Sequence, residues 1–242
     1  MSSGSHAPRR TKIIATVGPA SAEEPMLLKL IEAGVDVFRI NSSHGRSDIW
    51  TNWIAAIRRA ADQADRPIAI LLDLQGPRIR VGAVPEALPL ESDAEVVFAP
   101  EASASGTEIP TTYETLAQDV EPGATILIND GLIAVEVVAI DGDRVRGVVR
   151  QGGELTSYKG MNLPGSLVSA PSLTEIDEEH LAIAVRHGVE FVGISFVRRA
   201  DEVDMVRRLV PAGTCLVAKI ETIAAVDDYA RVLDSSDGIM VA

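Results

Sequence analysis

Cys215-Leu216-Val217-Ala218-Lys219-Ile220-Glu221 is the stretch whose reading decides the fold. Its apolar and small residues predict a buried strand, with Lys219 and Glu221 at the C-terminal end. Side chains alternate along a strand, so residues two apart share a face. Lys219 and Glu221 therefore point the same way at the strand mouth. An ammonium beside a carboxylate there suits a metal-assisted reaction on an anionic substrate. The carboxylate holds the cation and the ammonium neutralises developing charge. A plain salt bridge at a strand end is the competing reading for the pair alone.

The same strand-then-helix unit recurs on both sides of this stretch. Residues 12–17 predict a first strand, and Ser21 with Glu24 resembles a capping box. Met26, Leu27, Leu30 and Ile31 form one helical face ended by Gly34. Residues 35–40 are a second strand, releasing Arg39, Asn41, Ser42, Ser43 and His44 into a loop. Ile49, Trp50, Trp53, Ile54 and Ile57 keep helical spacing on a buried side, so both Trp residues read as packing. Residues 68–74 are a third strand delivering Asp73. Beyond Pro171, Thr174 with Asp177 signals a helix running through Leu181 and Val185 to Gly188. Residues 189–196 form a fourth strand with Ser195, Arg198 and Arg199 at its mouth. A helix over 201–210 rests on Val203, Val206 and Leu209. The opening stretch is the fifth strand. Thr222 then caps a helix with Val226, Tyr229 and Leu233 inward, and 238–242 is a sixth strand. Alternation of this kind implies parallel pairing and a TIM-type (β/α)8 barrel, incomplete as given.

Between residues 83 and 159 the rhythm changes. Strand-like pieces at 95–98, 125–128, 132–140 and 144–150 are separated by Asn129-Asp130-Gly131 and Asp141-Gly142-Asp143, both turn signals. A single helical turn is expected over 113–118, and Asp130 reads as a turn residue. The expected organisation is a disordered lead-in over 1–10, a barrel domain from 11–82 and 160–242, and an inserted β-rich lid over 83–159. Six strands of eight would leave two open edges and an exposed core. The expectation is a longer protein, a partner, or an unusually filled wall.

Composition narrows the function. Lys plus Arg number 22 against 35 Asp plus Glu, a formal charge of -13, which disfavours nonspecific nucleic-acid binding. One cysteine, Cys215, excludes an internal disulfide framework, and a cytoplasmic setting fits. No run of 18 apolar residues suggests a membrane span. His180 and His187 read as incidental to a helix. Arg39, Asn41, Ser43, Asp73, Arg78, Arg80, Ser195, Lys219 and Glu221 recur at successive strand ends, which in a parallel barrel open on one face. Three Arg and one Lys around two carboxylates suit phosphate or carboxylate binding around a metal. Neither a Gly-rich phosphate loop nor a dinucleotide fingerprint is present.

At these residues the chain resembles pyruvate kinase. The matching motifs are Thr-Lys-Ile-Ile-Ala-Thr-Val-Gly-Pro-Ala-Ser (11–21), Phe-Arg-Ile-Asn-Ser-Ser-His-Gly (38–45) and Asp-Leu-Gln-Gly-Pro-Arg-Ile-Arg-Val-Gly (73–82). Lys-Gly-Met-Asn-Leu-Pro-Gly (159–165), Ile-Ser-Phe-Val-Arg (194–198), Ala-Lys-Ile-Glu (218–221) and Ser-Asp-Gly-Ile-Met-Val-Ala (236–242) follow in family order. The resemblance implies a β/α barrel with a lid inserted after its third strand, and phosphoryl transfer from phosphoenolpyruvate to ADP. It implies that Arg39 and Arg80 contact the phosphoryl end and that Lys219 stabilises the group in flight. Glu221 would ligate Mg²⁺ or Mn²⁺, and Asn41, Ser43, His44, Ser195 and Lys159 would complete the substrate contacts. In members that need K⁺, residues matching Asn41, Ser43 and Asp73 share that ion with a Thr. Here Leu74 stands at the Thr position and Arg78 where those members carry Glu, so K⁺-independence is expected. The family continues beyond Met-Val-Ala with a second metal carboxylate, a Thr, the last strands and a C-terminal domain, and is commonly a homotetramer. Two other functions compete: a metal-dependent enolpyruvate lyase or aldolase, and a catalytically dead truncated paralogue acting as a binding module.

Overall fold

Short apolar strands alternating with amphipathic helices give one parallel sheet. The chain opens with β1 (Ile14–Thr16), α1 (Glu24–Ala33), β2 (Val37–Asn41), α2 (Ser47–Ala64) and β3 (Ala69–Asp73). There follow β4 (Leu88–Leu90), β5 (Glu95–Pro100), β6 (Ile109–Thr111), α3 (Leu116–Asp119), β7 (Thr125–Ile128), β8 (Ile133–Asp141), β9 (Arg144–Gln151), β10 (Gly153–Leu155) and β11 (Met161–Asn162). The last elements are α4 (Glu175–Arg186), β12 (Phe191–Ile194), α5 (Ala200–Arg207), β13 (Cys215–Ile220), α6 (Ile223–Asp227), α7 (Tyr229–Ser235) and β14 (Gly238–Val241). This computed structural model describes residues 10–43, 47–77, 79–166 and 168–241. The expectations for the lead-in before Arg10, for His44 and for Arg78 lie outside the described residues.

The parallel sheet runs β1-β2-β3-β12-β13-β14, every neighbouring pair parallel. It is the sequential strand order of a TIM-type barrel, incomplete over these six strands. Leu71 pairs with Phe191, so the sheet continues directly across the inserted segment. Phe38, Ile40, Ile70, Leu72, Val192, Ile194, Leu216 and Ala218 are buried with Leu27, Ile31, Trp50, Ile54 and Ile57 from the helices. Each fully buried Leu or Ile contributes roughly 1.5–3 kcal/mol against exposure. Both Trp residues pack as their spacing predicts, Trp50 fully and Trp53 in part.

The chain divides into two compact units. One runs up to Gly76, then Ser172–Glu221 and Ala225 onward; the other holds Pro77–Pro171 with Thr222–Ala224. The second unit has its own sheet, β11-β7-β8-β9-β5-β6, and a β10-β4 pair. Its core gathers Phe98, Ile126, Ile128, Val135, Val137, Val145 and Val149. Arg80 and Val81 belong to it because they bridge Gly160 and Thr111. The turn Asn129-Asp130-Gly131 carries three successive positive φ angles of 55°, 57° and 84°, as a tight β7–β8 reversal requires.

Several helix expectations need correction. Ser21 and Glu24 form no capping box. Helix α1 starts after Glu23 with Pro25 in its first turn, while the Ser21 hydroxyl accepts from Gly18 N and donates to Gly18 O. Ile49 is exposed rather than inward. Leu209 is exposed because α5 ends at Arg207, where the helical period lapses. Val226, Tyr229 and Leu233 also face solvent. The helix they were expected to share is broken into α6 and α7 at Asp228, whose carboxylate accepts from Ala200 N at 3.0 Å. Ala225 and Val232 are the buried residues instead.

Two stability predictions arise here. A methyl group on Gly152 would sit 2.3 Å from the Leu90 carbonyl and 3.1 Å from Ser92 N, both backbone. Gly152→Ala should therefore destabilise the β-rich unit by about 2 kcal/mol, read as a lower urea midpoint for its unfolding. At the start of β14, the Arg207 guanidinium, and then the Leu216 N–H, hold the Asp237 carboxyl below its usual value. A depressed carboxyl stabilises the fold above its unfolded pKa, and that contribution is lost as pH falls through the folded value. The stability gap between wild type and Asp237→Ala should be full at pH 7 and narrow below about pH 4. Urea midpoints at several pH values measure it, and an equal gap at pH 3 would contradict it.

Candidate active site at the strand mouths

Parallel strands present their C-terminal ends on one side, so polar residues at those ends meet there. Asp73, the last residue of β3, is 1% exposed. Arg39 on β2 reaches it with two hydrogen bonds, Nε at 2.8 Å and Nη2 at 2.5 Å, both to Oδ2. The third arm of that guanidinium donates to Thr16 Oγ1 on β1 at 2.9 Å. One arginine thus ties three successive strand mouths together. A charge-assisted fork of this kind is among the stronger polar contacts available to a side chain.

Lys219 on β13 lies opposite, and its side chain is 11% exposed. Its ammonium donates to Ser195 Oγ at 2.8 Å and lies 3.2 Å from Glu221 Oε1 and 3.4 Å from Asp73 Oδ1. Lys219 and Glu221 therefore share a face, as strand alternation predicts. Asp73 Oδ1 itself accepts no hydrogen bond, so its contact with the ammonium is ionic only. Gly193 on β12 permits that carboxylate, since a Cβ there would stand 2.9 Å from Asp73 Oδ1.

Glu221 Oε2 accepts from the backbone N of Phe196 at 2.9 Å. Phe196 has φ 54°, a left-handed conformation uncommon for a bulky residue and costing on the order of 1 kcal/mol. That turn aims its N–H at the carboxylate. Oε1 faces the Lys219 ammonium at 3.2 Å.

Asn41 Oδ1 accepts from Ser43 N at 3.0 Å, closing the turn after β2. Ser42 between them is buried, and its Oγ has no hydrogen-bond partner. The Ser195 hydroxyl is engaged on both sides, donating to Leu74 O at 2.6 Å and accepting from Lys219. Arg80 and Lys159 belong to the β-rich unit. Arg80 Nη1 donates to Tyr158 O at 3.4 Å, and Lys159 O accepts from Val81 N at 2.9 Å. The structure thus brings together Arg39, Asp73, Ser195, Lys219 and Glu221, with Asn41 and Ser43 in the neighbouring turn. His180 packs edge-on against Trp50. No helix of the described residues is long and apolar enough to cross a membrane.

Sequence reasoning missed Thr16, the Phe196 N–H and Gly193. Backbone donors and close approaches leave no residue-type signal; only the Gly in Val-Gly-Ile pointed to a tight approach.

A parallel β/α sheet with a lysine, an arginine and two carboxylates at its strand mouths defines a barrel-type protein with an ionic cluster on one face. The family model for the pyruvate kinase barrel domain matches residues 8–242, and the chain belongs to that family. Pyruvate kinases of Staphylococcus aureus strains USA300 and NCTC 8325 are each 40% identical to it over 241 residues. The match covers 97% of this chain and 41% of each relative, so the chain spans about two fifths of their length.

Proposed function

We propose that this chain carries the N-terminal part of a pyruvate kinase site, moving the phosphoryl group of phosphoenolpyruvate to ADP in glycolysis. The observation that carries the proposal is the Lys219 ammonium, fixed by Ser195 and flanked by Asp73 and Glu221. It is a rigid cation at the one barrel face where reacting groups collect. In the reaction the bond from phosphorus to the enol oxygen breaks and one to a terminal ADP oxygen forms. The enolate left behind takes a proton to become pyruvate. Lys219 neutralises charge on the phosphoryl oxygens in flight, and Arg39 orients them. Arg80 is assigned to the phosphoryl end; Asn41, Ser43, His44, Ser195 and Lys159 are assigned to substrate contacts.

Glu221 fits a divalent cation. Its Oε2 is fixed by Phe196 and its Oε1 faces the Lys219 ammonium, and Mg²⁺ commonly takes one or two carboxylates plus substrate oxygens. Mg²⁺ or Mn²⁺ held there would supply Lewis acidity toward the substrate carboxylate and enolate oxygens. K⁺ is not required in this proposal, because Asp73 already faces two protein cations and Leu74 offers no hydroxyl. Arg78 is assigned by its place in the sequence to the further positive charge. The β-rich unit serves as the lid that excludes water from the transfer. Cytoplasmic location and a homo-oligomeric state are part of the same reading.

The test is pyruvate formation from phosphoenolpyruvate and ADP with Mg²⁺, with and without K⁺, by wild type and Glu221→Gln. Support is K⁺-independent turnover that Glu221→Gln lowers by about a hundredfold. Metabolite binding without turnover would instead favour the binding-module reading. Pyruvate release without ADP would favour lyase chemistry.

A further inference from the structure

Asp177 lies on α4, away from the ionic cluster, and is fully buried. It serves as the third residue of the α4 capping box: its Oδ2 accepts from Thr174 N at 3.1 Å and from Thr174 Oγ1 at 2.7 Å. A cap explains only two of the five bonds its carboxylate accepts. Oδ1 accepts from Gln75 N at 2.8 Å and Gly76 N at 3.2 Å, and Oδ2 also receives Gly76 N at 3.1 Å. A helix start has no need of these donors from the β3 exit.

Gln75 N–H and Leu74 C=O belong to one peptide. The far side of that peptide accepts the Ser195 hydroxyl at 2.6 Å, and Ser195 Oγ accepts the Lys219 ammonium at 2.8 Å. A continuous chain therefore runs from the Asp177 carboxylate through Gln75 N–H, Leu74 C=O and Ser195 O–H to the Lys219 N–H. Every donor points the same way along it. A negative group at one end and a positive one at the other polarise each bond in the same sense, which strengthens all of them. Burial of Asp177 and Ser195 keeps water from competing for these bonds.

We infer that Asp177 is a positioning residue for Lys219, acting through this single peptide. The inference rests on the proposed role of Lys219 in phosphoryl transfer. The link between the two residues is testable without that role. Asp177 fixes the orientation of the Leu74–Gln75 peptide, that peptide fixes the Ser195 hydroxyl, and the hydroxyl fixes the ammonium. A helix cap is thus shared with the site it lies behind.

The experiment is competitive acetylation of the purified chain by acetic anhydride, with Lys29 as the exposed internal reference and mass spectrometry as the readout. Asp177→Asn should raise labelling of Lys219 by about fivefold, the factor carried by one net hydrogen bond. Thr174→Ala removes the capping partner but leaves the Gln75 link, so it should leave Lys219 labelling unchanged. A folded Asp177→Asn variant with wild-type labelling overturns the inference. So does an equal rise in Thr174→Ala, which would reduce Asp177 to a cap. If Asp177→Asn does not fold, the amide proton of Gln75 reads the same chain from the other end. Ser195→Ala should move that resonance upfield, and an unmoved resonance overturns the link. Where wild type turns over, Asp177→Asn should lower kcat and keep KM. Absent wild-type turnover counts against the proposed function alone, and the labelling still decides the link.

Discussion

Lys219→Met is expected to lower pyruvate formation from phosphoenolpyruvate and ADP by about a thousandfold while leaving the fold intact. The methionine keeps the length and apolar stem of lysine. What it removes is a cation fixed by Ser195 and flanked by two carboxylates. The charge of a transferring phosphoryl group is spread over its equatorial oxygens, so a preset cation is worth most in the transition state. The loss should therefore appear in kcat. Steady-state kinetics with circular dichroism as a folding control provide the measurement. A variant within tenfold of wild type would show that Lys219 is a strand-end salt bridge and nothing more.

Asp73→Ala is expected to have the largest effect on stability among the site residues. It removes the carboxylate that faces both Arg39 and Lys219, and it does so at a position almost wholly buried. Lys219 keeps Glu221, but Arg39 loses its carboxylate partner, and breaking such a pair costs about 3 kcal/mol. For a chain of this size that corresponds to a melting temperature lower by about 9 °C. Added salt should recover part of the loss by screening the exposed side of Arg39. A melting temperature within two degrees of wild type, about half a kilocalorie, would mean that the arginine finds another partner.

Much of this arrangement was legible in the sequence because strands and their mouths obey a short period. Lys219 and Glu221 are two apart, and alternation alone puts them on one face. The order of six parallel strands followed from apolar runs separated by helical patterns. What escaped was set by contacts distant in sequence. That Arg39 forks onto Asp73, or that Ser195 bridges Lys219 to Leu74, depends on register between strands and leaves no local trace. The exposed face of Val226, Tyr229 and Leu233 escaped for another reason. Their spacing suits one straight helix, whereas the break at Asp228 rotates the second piece, so a valid period was applied across a discontinuity. The Phe196 N–H escaped because its backbone angle is one that its residue type rarely adopts.

The bridge between Arg80 and Gly160 bears on how the chain finds its fold. Strand β3 must pair with β12 about 120 positions later, and a flexible loop of that length is costly to close. The β-rich segment carries its own core, and its antiparallel bridge sets Arg80 beside Gly160. Once that segment is folded, its two ends arrive together. The effective loop then shrinks to roughly 40 residues, and closing the parallel sheet becomes cheaper by about 1 kcal/mol. The insertion then works as a folding splint. Anything that delays it, Gly152→Ala included, should slow assembly of the parallel sheet, although none of the altered atoms lies in it.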